Sequence, residues 1–161
     1  IRLWNESRMK TVLGILFIAV GAFIGKRATD KYSVKLKYFQ SMLEFNRETL
    51  KNLSYLKESL IELSKTEYPS AEFDETLKSA FDTEKEILLP DYLDESESRF
   101  VRNYFQKIGK NVESAEFAFL RYSECEIEKL VEKYSQENKK YGSLGLKLGV
   151  AAGAAAFIVI L

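Results

Sequence analysis

Paired carboxylates are the side chains of this sequence that come nearest to catalytic chemistry. Glu44 and Glu48, and likewise Glu124 and Glu128, stand four residues apart, a spacing that places each pair on one face of a helix. Di-iron bundles use such faces, but their Glu-x-x-His motif also supplies histidine ligands. The chain has no histidine. We therefore interpret both pairs as solvated helix faces and expect neither a metal ion nor another cofactor.

The sequence offers no motif for other kinds of catalytic chemistry. Cys125 is the single cysteine and lies in the glutamate-rich run S-E-C-E-I-E, a setting that does not favour the reactive thiolate. No Walker loop, dinucleotide fingerprint or nucleophile elbow occurs in the sequence. Basic and acidic residues number 24 each, so net charge gives no reason to expect a nucleic acid. The sequence predicts a non-enzymatic protein that does not bind nucleic acid.

An acidic segment is the strongest charge feature. Between Glu67 and Glu97 eleven acids stand against two bases, which is a local net charge of −9. Such runs are usually solvated surface, but they also suit a basic partner, and both interpretations stay open. The candidate partner-docking residues are Glu84, Glu86, Asp91, Asp94, Glu95 and Glu97.

Two apolar segments flank the charged region. Residues 11–25 carry no charge, and residues 144–161 carry only Lys147. Fifteen helical residues extend about 22 Å, so the first segment is expected to cross a ~30 Å hydrocarbon core only with the help of its basic flanks. We predict transmembrane helices over residues 11–25 and 141–161, an N-terminal extension over residues 1–10, and a helical domain over residues 26–140. A cleaved secretory signal is the alternative for the first segment.

Glycines and basic residues give these segments a predicted arrangement. Glycines at four-residue spacing let membrane helices approach closely. Basic residues follow the first segment and precede the second. By the positive-inside rule, this distribution predicts a multi-pass protein of the cell membrane with its central domain in the cytoplasm. The candidate span-packing residues are Gly21, Gly25, Gly145, Gly149 and Gly153.

The region between the segments follows helical spacing and is almost free of helix breakers. It predicts an all-α, antiparallel cytoplasmic bundle flanked by the two transmembrane helices. A long first helix is expected to end before Pro69. A second helix, capped by Ser70, is expected to carry Leu88 on its apolar stripe and to end at Pro90.

Two further helices complete this prediction. Asp94 and Glu97 resemble a capping box at the start of the third helix, and Gly109 suits the position just after its end. Ser114 is the predicted cap of a last long helix.

The C-terminal run KKYGSLGLKLGVAAGAAAFIVIL resembles the end of the stage III sporulation protein AB family. A glycine-containing N-terminal segment followed by Lys-Arg, and the helical region after it, match that family's arrangement too. The resemblance covers nearly the whole chain from Met9 and is sharpest over residues 140–161. One motif departs from it: the family's L-G-x-S-D-x-x-x-Q turn corresponds to residues 108–116, where Val112 and Glu116 replace Asp and Gln.

This resemblance implies a specific role. Proteins of the family look like the cytoplasmic domain of platform proteins in type II secretion and type IV pilus machines, and belong to the channel complex between mother cell and forespore. The implied partners are membrane lipid, a secretion-type ATPase and other channel-complex proteins, and a homo-oligomer is compatible with the sequence. The alternatives are a generic membrane-anchored coiled-coil adaptor and a secreted helical protein with a cleaved N-terminal signal.

Overall fold

Six helices make up the computed structural model, which describes residues 2–52, 56–82, 86–110, 112–142 and 144–160. No strand occurs in these ranges, so the all-α prediction is confirmed for them. The helices are α1 (Arg2–Lys51), α2 (Leu56–Leu63), α3 (Ala71–Ala80), α4 (Glu95–Lys107), α5 (Glu113–Tyr141) and α6 (Leu144–Ile160).

The chain divides into two compact units. The central unit is Val34–Tyr134, and the terminal unit combines Ile1–Ser33 with Ser135–Leu161. Within the described residues, no helix combines the length and the apolar character needed to cross a membrane. The two transmembrane helices expected from the sequence therefore stay a prediction.

Aromatic side chains dominate the core of the central unit. Phe45 of α1 is fully buried, and its ring centroid lies 6.1 Å from that of Phe73 in α3 and 6.1 Å from that of Phe105 in α4. Tilted and edge-on ring pairs at such separations are favourable beyond the area they bury. Other core side chains from four helices surround this cluster, namely Tyr38, Phe39, Met42, Leu77, Val101, Tyr104, Leu120, Ile127 and Tyr134.

Contacts along α1 fix the direction of its neighbours. Lys35 contacts Tyr134 and Asn46 contacts Leu120, so α5 runs antiparallel to α1. Thr76 and Phe73 of α3 also meet α1 in reverse chain order, at Tyr38 and Phe45. Helix α4 runs parallel to α1, because Lys35 contacts Glu97 and Asn46, further along α1, contacts Tyr104, further along α4. The predicted antiparallel bundle is therefore corrected to a mixed bundle, in which α1 has both antiparallel and parallel neighbours.

Local sequence signals set three helix ends as predicted. Ser70 caps α3, with its hydroxyl accepting from the Phe73 N–H at 3.3 Å. Asp94 and Glu97 form the reciprocal capping box of α4, which satisfies two N–H groups that have no partner inside the helix. Gly109 follows Ile108, the C-cap residue of α4, with a φ of +76°, a backbone conformation that favours glycine.

The predicted second helix is too long. Helix α3 ends at Ala80, and Leu88, expected on a buried stripe, is 58% exposed. The Ser79 hydroxyl donates to the Thr76 carbonyl and accepts the Leu88 N–H at 2.9 Å. Serine hydroxyls that bond to nearby backbone groups compete with helix continuation. The chain therefore leaves the helix well before Pro90.

Two other predicted boundaries also differ. The helix expected to reach Pro69 is divided into α1, which ends at Lys51, and α2, which begins at Leu56. Ser114 lies inside the first turn of α5, because this helix begins at Glu113.

Candidate functional site

Glycines bring α1 and α6 of the terminal unit into backbone contact. Gly21 faces Gly149 and Gly153, and Gly25 faces Gly145 and Gly149. A β-carbon added at Gly21 would stand 3.4 Å from the Gly153 nitrogen, and one at Gly25 would stand 3.3 Å from the Gly149 Cα. Each added carbon would also overlap a carbonyl oxygen of the facing helix. The five predicted span-packing glycines thus lie together, and at four of them a larger residue would overlap the facing helix.

Large apolar side chains point away from this contact into the surroundings. Ten of them in α1 and α6 are between 39% and 71% exposed. An exposed apolar surface of this kind marks a site of contact with a membrane or another protein. These residues are Val12, Ile15, Leu16, Val20, Phe23, Ile24, Leu144, Leu148, Val150 and Ile158.

Tyrosines and lysines lie together at one end of the terminal unit. The rings of Tyr32 and Tyr141 stack with centroids 5.3 Å apart. The Lys31 ammonium lies 5.0 Å from the Tyr32 ring centroid, and the Lys140 ammonium lies 5.2 Å from that of Tyr141. Tyrosine and lysine are the side chains that gather where a membrane segment meets water. The sequence analysis did not anticipate this pairing, which joins residues more than a hundred positions apart.

Only some acidic residues of the acidic segment are exposed on the central unit. Glu86, Asp91, Asp94 and Glu95 are exposed, whereas Glu84 lies outside the described residues. Glu97 is 3% exposed, which corrects its assignment to a docking surface.

A buried network explains the position of Glu97. Its Oε2 atom accepts from the Lys35 ammonium at 2.7 Å and from the Asp94 N–H at 3.0 Å. Its Oε1 atom accepts from the Tyr134 hydroxyl, and Lys133 Nζ lies 4.0 Å away. A buried carboxylate is tolerated when it is paired and hydrogen-bonded in this way. The network joins α1, α4 and α5.

A second buried network lies deeper along the same three helices. Asn46 is fully buried, and its amide donates to the Leu120 carbonyl at 3.1 Å. The Tyr104 hydroxyl donates to Asn46 Oδ1 at 3.0 Å. Burial, assisted by the negative charge of Glu116, raises the pKa of Tyr104 well above its ordinary value. In the sequence Asn46 is only a polar break in an apolar repeat, so its partners were not predictable.

One of the two carboxylate pairs that open the sequence analysis, Glu124 and Glu128, serves a structural purpose. Arg47 donates from Nε to Glu124 at 2.9 Å and from a terminal nitrogen to Glu128 at 2.6 Å. Arg121 donates to the other oxygen of Glu124 at 2.9 Å. The hydrogen bond from Arg47, with that from Arg121, lowers the pKa of Glu124. Glu124 and Glu128 are therefore not plain solvated faces, since they tie α5 to α1.

The described residues contain no group of three side chains placed to hold a metal ion. A scan against protein-family models found no match, and neither did the searches of curated proteins and of solved structures. Hypotheses about function therefore depend on the geometry of the two units and on the sequence resemblance.

Proposed function

We propose that this chain is a non-enzymatic docking protein anchored in a membrane by its terminal unit, with the central unit in the cytoplasm. The observation that carries the proposal is the distribution of side chains in the terminal unit. Glycines fill the contact between α1 and α6, and large apolar side chains face outward. In water, burial would favour the opposite distribution. Lipid removes that driving force and rewards close packing of small residues.

The short apolar segments are compatible with anchoring when their flanks take part. The 17 residues of α6 extend about 25 Å, against a hydrocarbon core of ~30 Å. A short hydrophobic segment is accommodated by local thinning of the bilayer and by flanking side chains that reach the interface. The tyrosine and lysine pairs at Tyr32 and Tyr141 supply such side chains at one end.

The direction of insertion follows from the basic residues. Lys26, Arg27, Lys139 and Lys140 are all exposed and flank the two apolar segments on the side of the central unit in the sequence. Positive residues are retained in the cytoplasm. The proposed topology therefore has residues 26–140 in the cytoplasm.

The exposed cysteine allows a direct test of anchoring and topology. Cys125 is exposed on α5, so the unmodified full chain carries its own labelling site. We expect the full-length chain to resist alkaline extraction from membranes, and Cys125 to react with an impermeant maleimide only after the cells are permeabilised. Labelling on intact cells would reverse the topology. Release of a shortened chain into the medium would establish the secreted alternative.

The resemblance to the stage III sporulation protein AB family supports a more specific role. We propose a platform component of the mother cell–forespore channel that docks a secretion-type ATPase. Asp91, Asp94 and Glu95 are exposed, so a basic partner can reach them, while Asp94 also caps α4 and Glu95 also pairs with Arg99. Glu97 is excluded because its charge is used inside the unit.

Binding kinetics test this docking surface. Asp91→Asn, Asp94→Asn and Glu95→Gln together keep a competent helix cap, because asparagine caps as well as aspartate. We expect slower association with the ATPase and a flatter salt dependence, since peripheral charges act mainly on the association rate. The control replaces three exposed acids elsewhere, Glu44, Glu62 and Glu132, with glutamine. An anchored chain that binds no ATPase would be the generic adaptor.

A further inference from the structure

A cleft of about 400 Å³ opens on the central unit between the end of α1 and the beginning of α5. Three of its side chains are basic and one is acidic. Two apolar side chains complete the wall. We call this the basic cleft; it is lined by Arg47, Leu50, Lys51, Phe117, Arg121 and Glu124.

Glu124 arranges the two arginines of the basic cleft. It accepts one hydrogen bond from Arg47 and one from Arg121, each at 2.9 Å. The Arg121 guanidinium also lies 5.4 Å from the centroid of the Phe117 ring. Arg47 also donates to Glu128 at 2.6 Å. Since a guanidinium has five N–H donors, these contacts hold both groups in place and still leave donors for a further carboxylate. The ring of Phe117 remains available to an apolar group, because this residue is 46% exposed.

The same chain carries a segment of matching chemistry, which we call the acidic loop and define as residues 86–91. Leu88 is 58% exposed and stands between the exposed acids Glu86 and Asp91. Residues 86–90 have no regular secondary structure. The bond from the Leu88 N–H to Ser79 holds the loop against α3. This bond fixes the backbone at Leu88, whose exposed side chain has an acidic residue on each side in the sequence.

We propose that the acidic loop of one copy docks in the basic cleft of a second copy. Leu88 would pack on the apolar wall, and the acids beside it would meet the lysine and arginine at the rim. The two surfaces share no residue, so copies can associate either as a two-fold dimer, with each loop in the other's cleft, or head to tail as a ring or an open chain. This association does not depend on the membrane anchor. It does use part of the surface proposed for the ATPase, so the two partners would compete.

Charge reversal in the full-length chain tests the contact. The cleft variant carries Lys51→Glu and Arg121→Glu, and the loop variant carries Glu86→Lys and Asp91→Lys. We expect sedimentation velocity in detergent at low salt to show concentration-dependent association of the parent chain. Each variant should raise the dissociation constant about tenfold or more. A chain that carries all four changes should associate again, because the charges are reversed on both surfaces.

Mixing the two variants separates this contact from other kinds of association. Every mixed contact joins either two native surfaces or two charge-reversed surfaces, so the mixture should associate more tightly than either variant alone. A control with Arg102→Glu and Lys129→Glu changes two exposed bases outside the cleft and should behave like the parent. Circular dichroism establishes that each variant is folded.

Three results would overturn the proposal. The first is a parent chain that stays monomeric throughout, and the second is a cleft variant that associates as strongly as the parent. The third is a parent chain whose association is unaffected by the loop variant and whose cleft binds anionic vesicles through Lys51 and Arg121, which would assign the basic cleft to lipid headgroups. None of these results bears on docking of the ATPase, which is measured with the ATPase present.

Discussion

Replacing Glu97 by glutamine removes one charge and one of two hydrogen-bond acceptors from the buried network. The Glu97 side chain is 2% exposed and that of Lys35 is 13% exposed, so the substitution leaves a mostly buried ammonium without its counter-charge. The glutamine oxygen can still accept the Asp94 N–H, because glutamine also serves at this position of a capping box. Loss of one partner from a buried ion pair costs about 3–5 kcal/mol. Since Lys35 keeps the Tyr134 hydroxyl at 3.2 Å and some contact with water, we expect about 3 kcal/mol.

The chain offers a matched control on the same helix. Glu95 also lies in the first turn of α4 and bonds to Arg99 four residues on, but its side chain is 91% exposed. Exposed pairs of this type contribute about 0.3–0.5 kcal/mol. Glu95→Gln should therefore change the free energy of unfolding by less than about 0.5 kcal/mol.

Denaturant unfolding of the full chain, followed by circular dichroism, measures the difference. A third variant adds Lys35→Met to Glu97→Gln and should recover most of the lost stability, because no uncompensated charge is then buried. Equal stability of the Glu97→Gln and Glu95→Gln chains would refute this account of the network.

Three other perturbations have defined outcomes. Tyr104→Phe leaves the buried Asn46 oxygen without its donor and should lower the free energy of unfolding in denaturant by about 1–3 kcal/mol. An unchanged free energy of unfolding would show that another hydrogen bond replaces the lost one. Burial raises the pKa of both Tyr38 and Tyr104 in the folded chain. Their contribution to the free energy of unfolding is therefore complete below the pKa of about 10 that tyrosine has in the unfolded chain, and it falls as the pH rises above that value. Denaturant midpoints at about pH 9 and about pH 11 measure this fall, and equal midpoints would contradict it. Gly25→Leu should separate α1 from α6. Ala19→Leu, at an exposed site, is the control and should leave the two helices in contact. Crosslinking between cysteines placed in the two helices measures the difference.

Signals carried by a few neighbouring residues were readable from the sequence. Ser70, the Asp94–Glu97 box and Gly109 act through the backbone within four residues of their own position, so their effect does not depend on the rest of the fold. The spacing of apolar residues likewise gave the helical class.

What the sequence did not reveal depends on distant partners. Glu97 appears as one acid among many, and only Lys35, 62 positions away, and Tyr134, 37 positions away, make its burial favourable. Leu88 fits a helical stripe, but Ser79 bonds to its N–H and the chain has already left the helix. The basic cleft was missed for the same reason, since its residues come from the end of α1 and the beginning of α5.

The long separation between α1 and its partners in α5 has a consequence for synthesis of the protein. The hydrogen bonds that join the two helices link residues 74 to 99 positions apart. At about 5–20 residues per second, roughly 4–20 s pass between translation of the two partners. During that interval the face of α1 that carries Phe39 and Asn46, both fully buried in the finished protein, lacks its covering helix. A nascent chain in this condition is a substrate for chaperones, and stalling translation before residue 120 would lengthen its exposure.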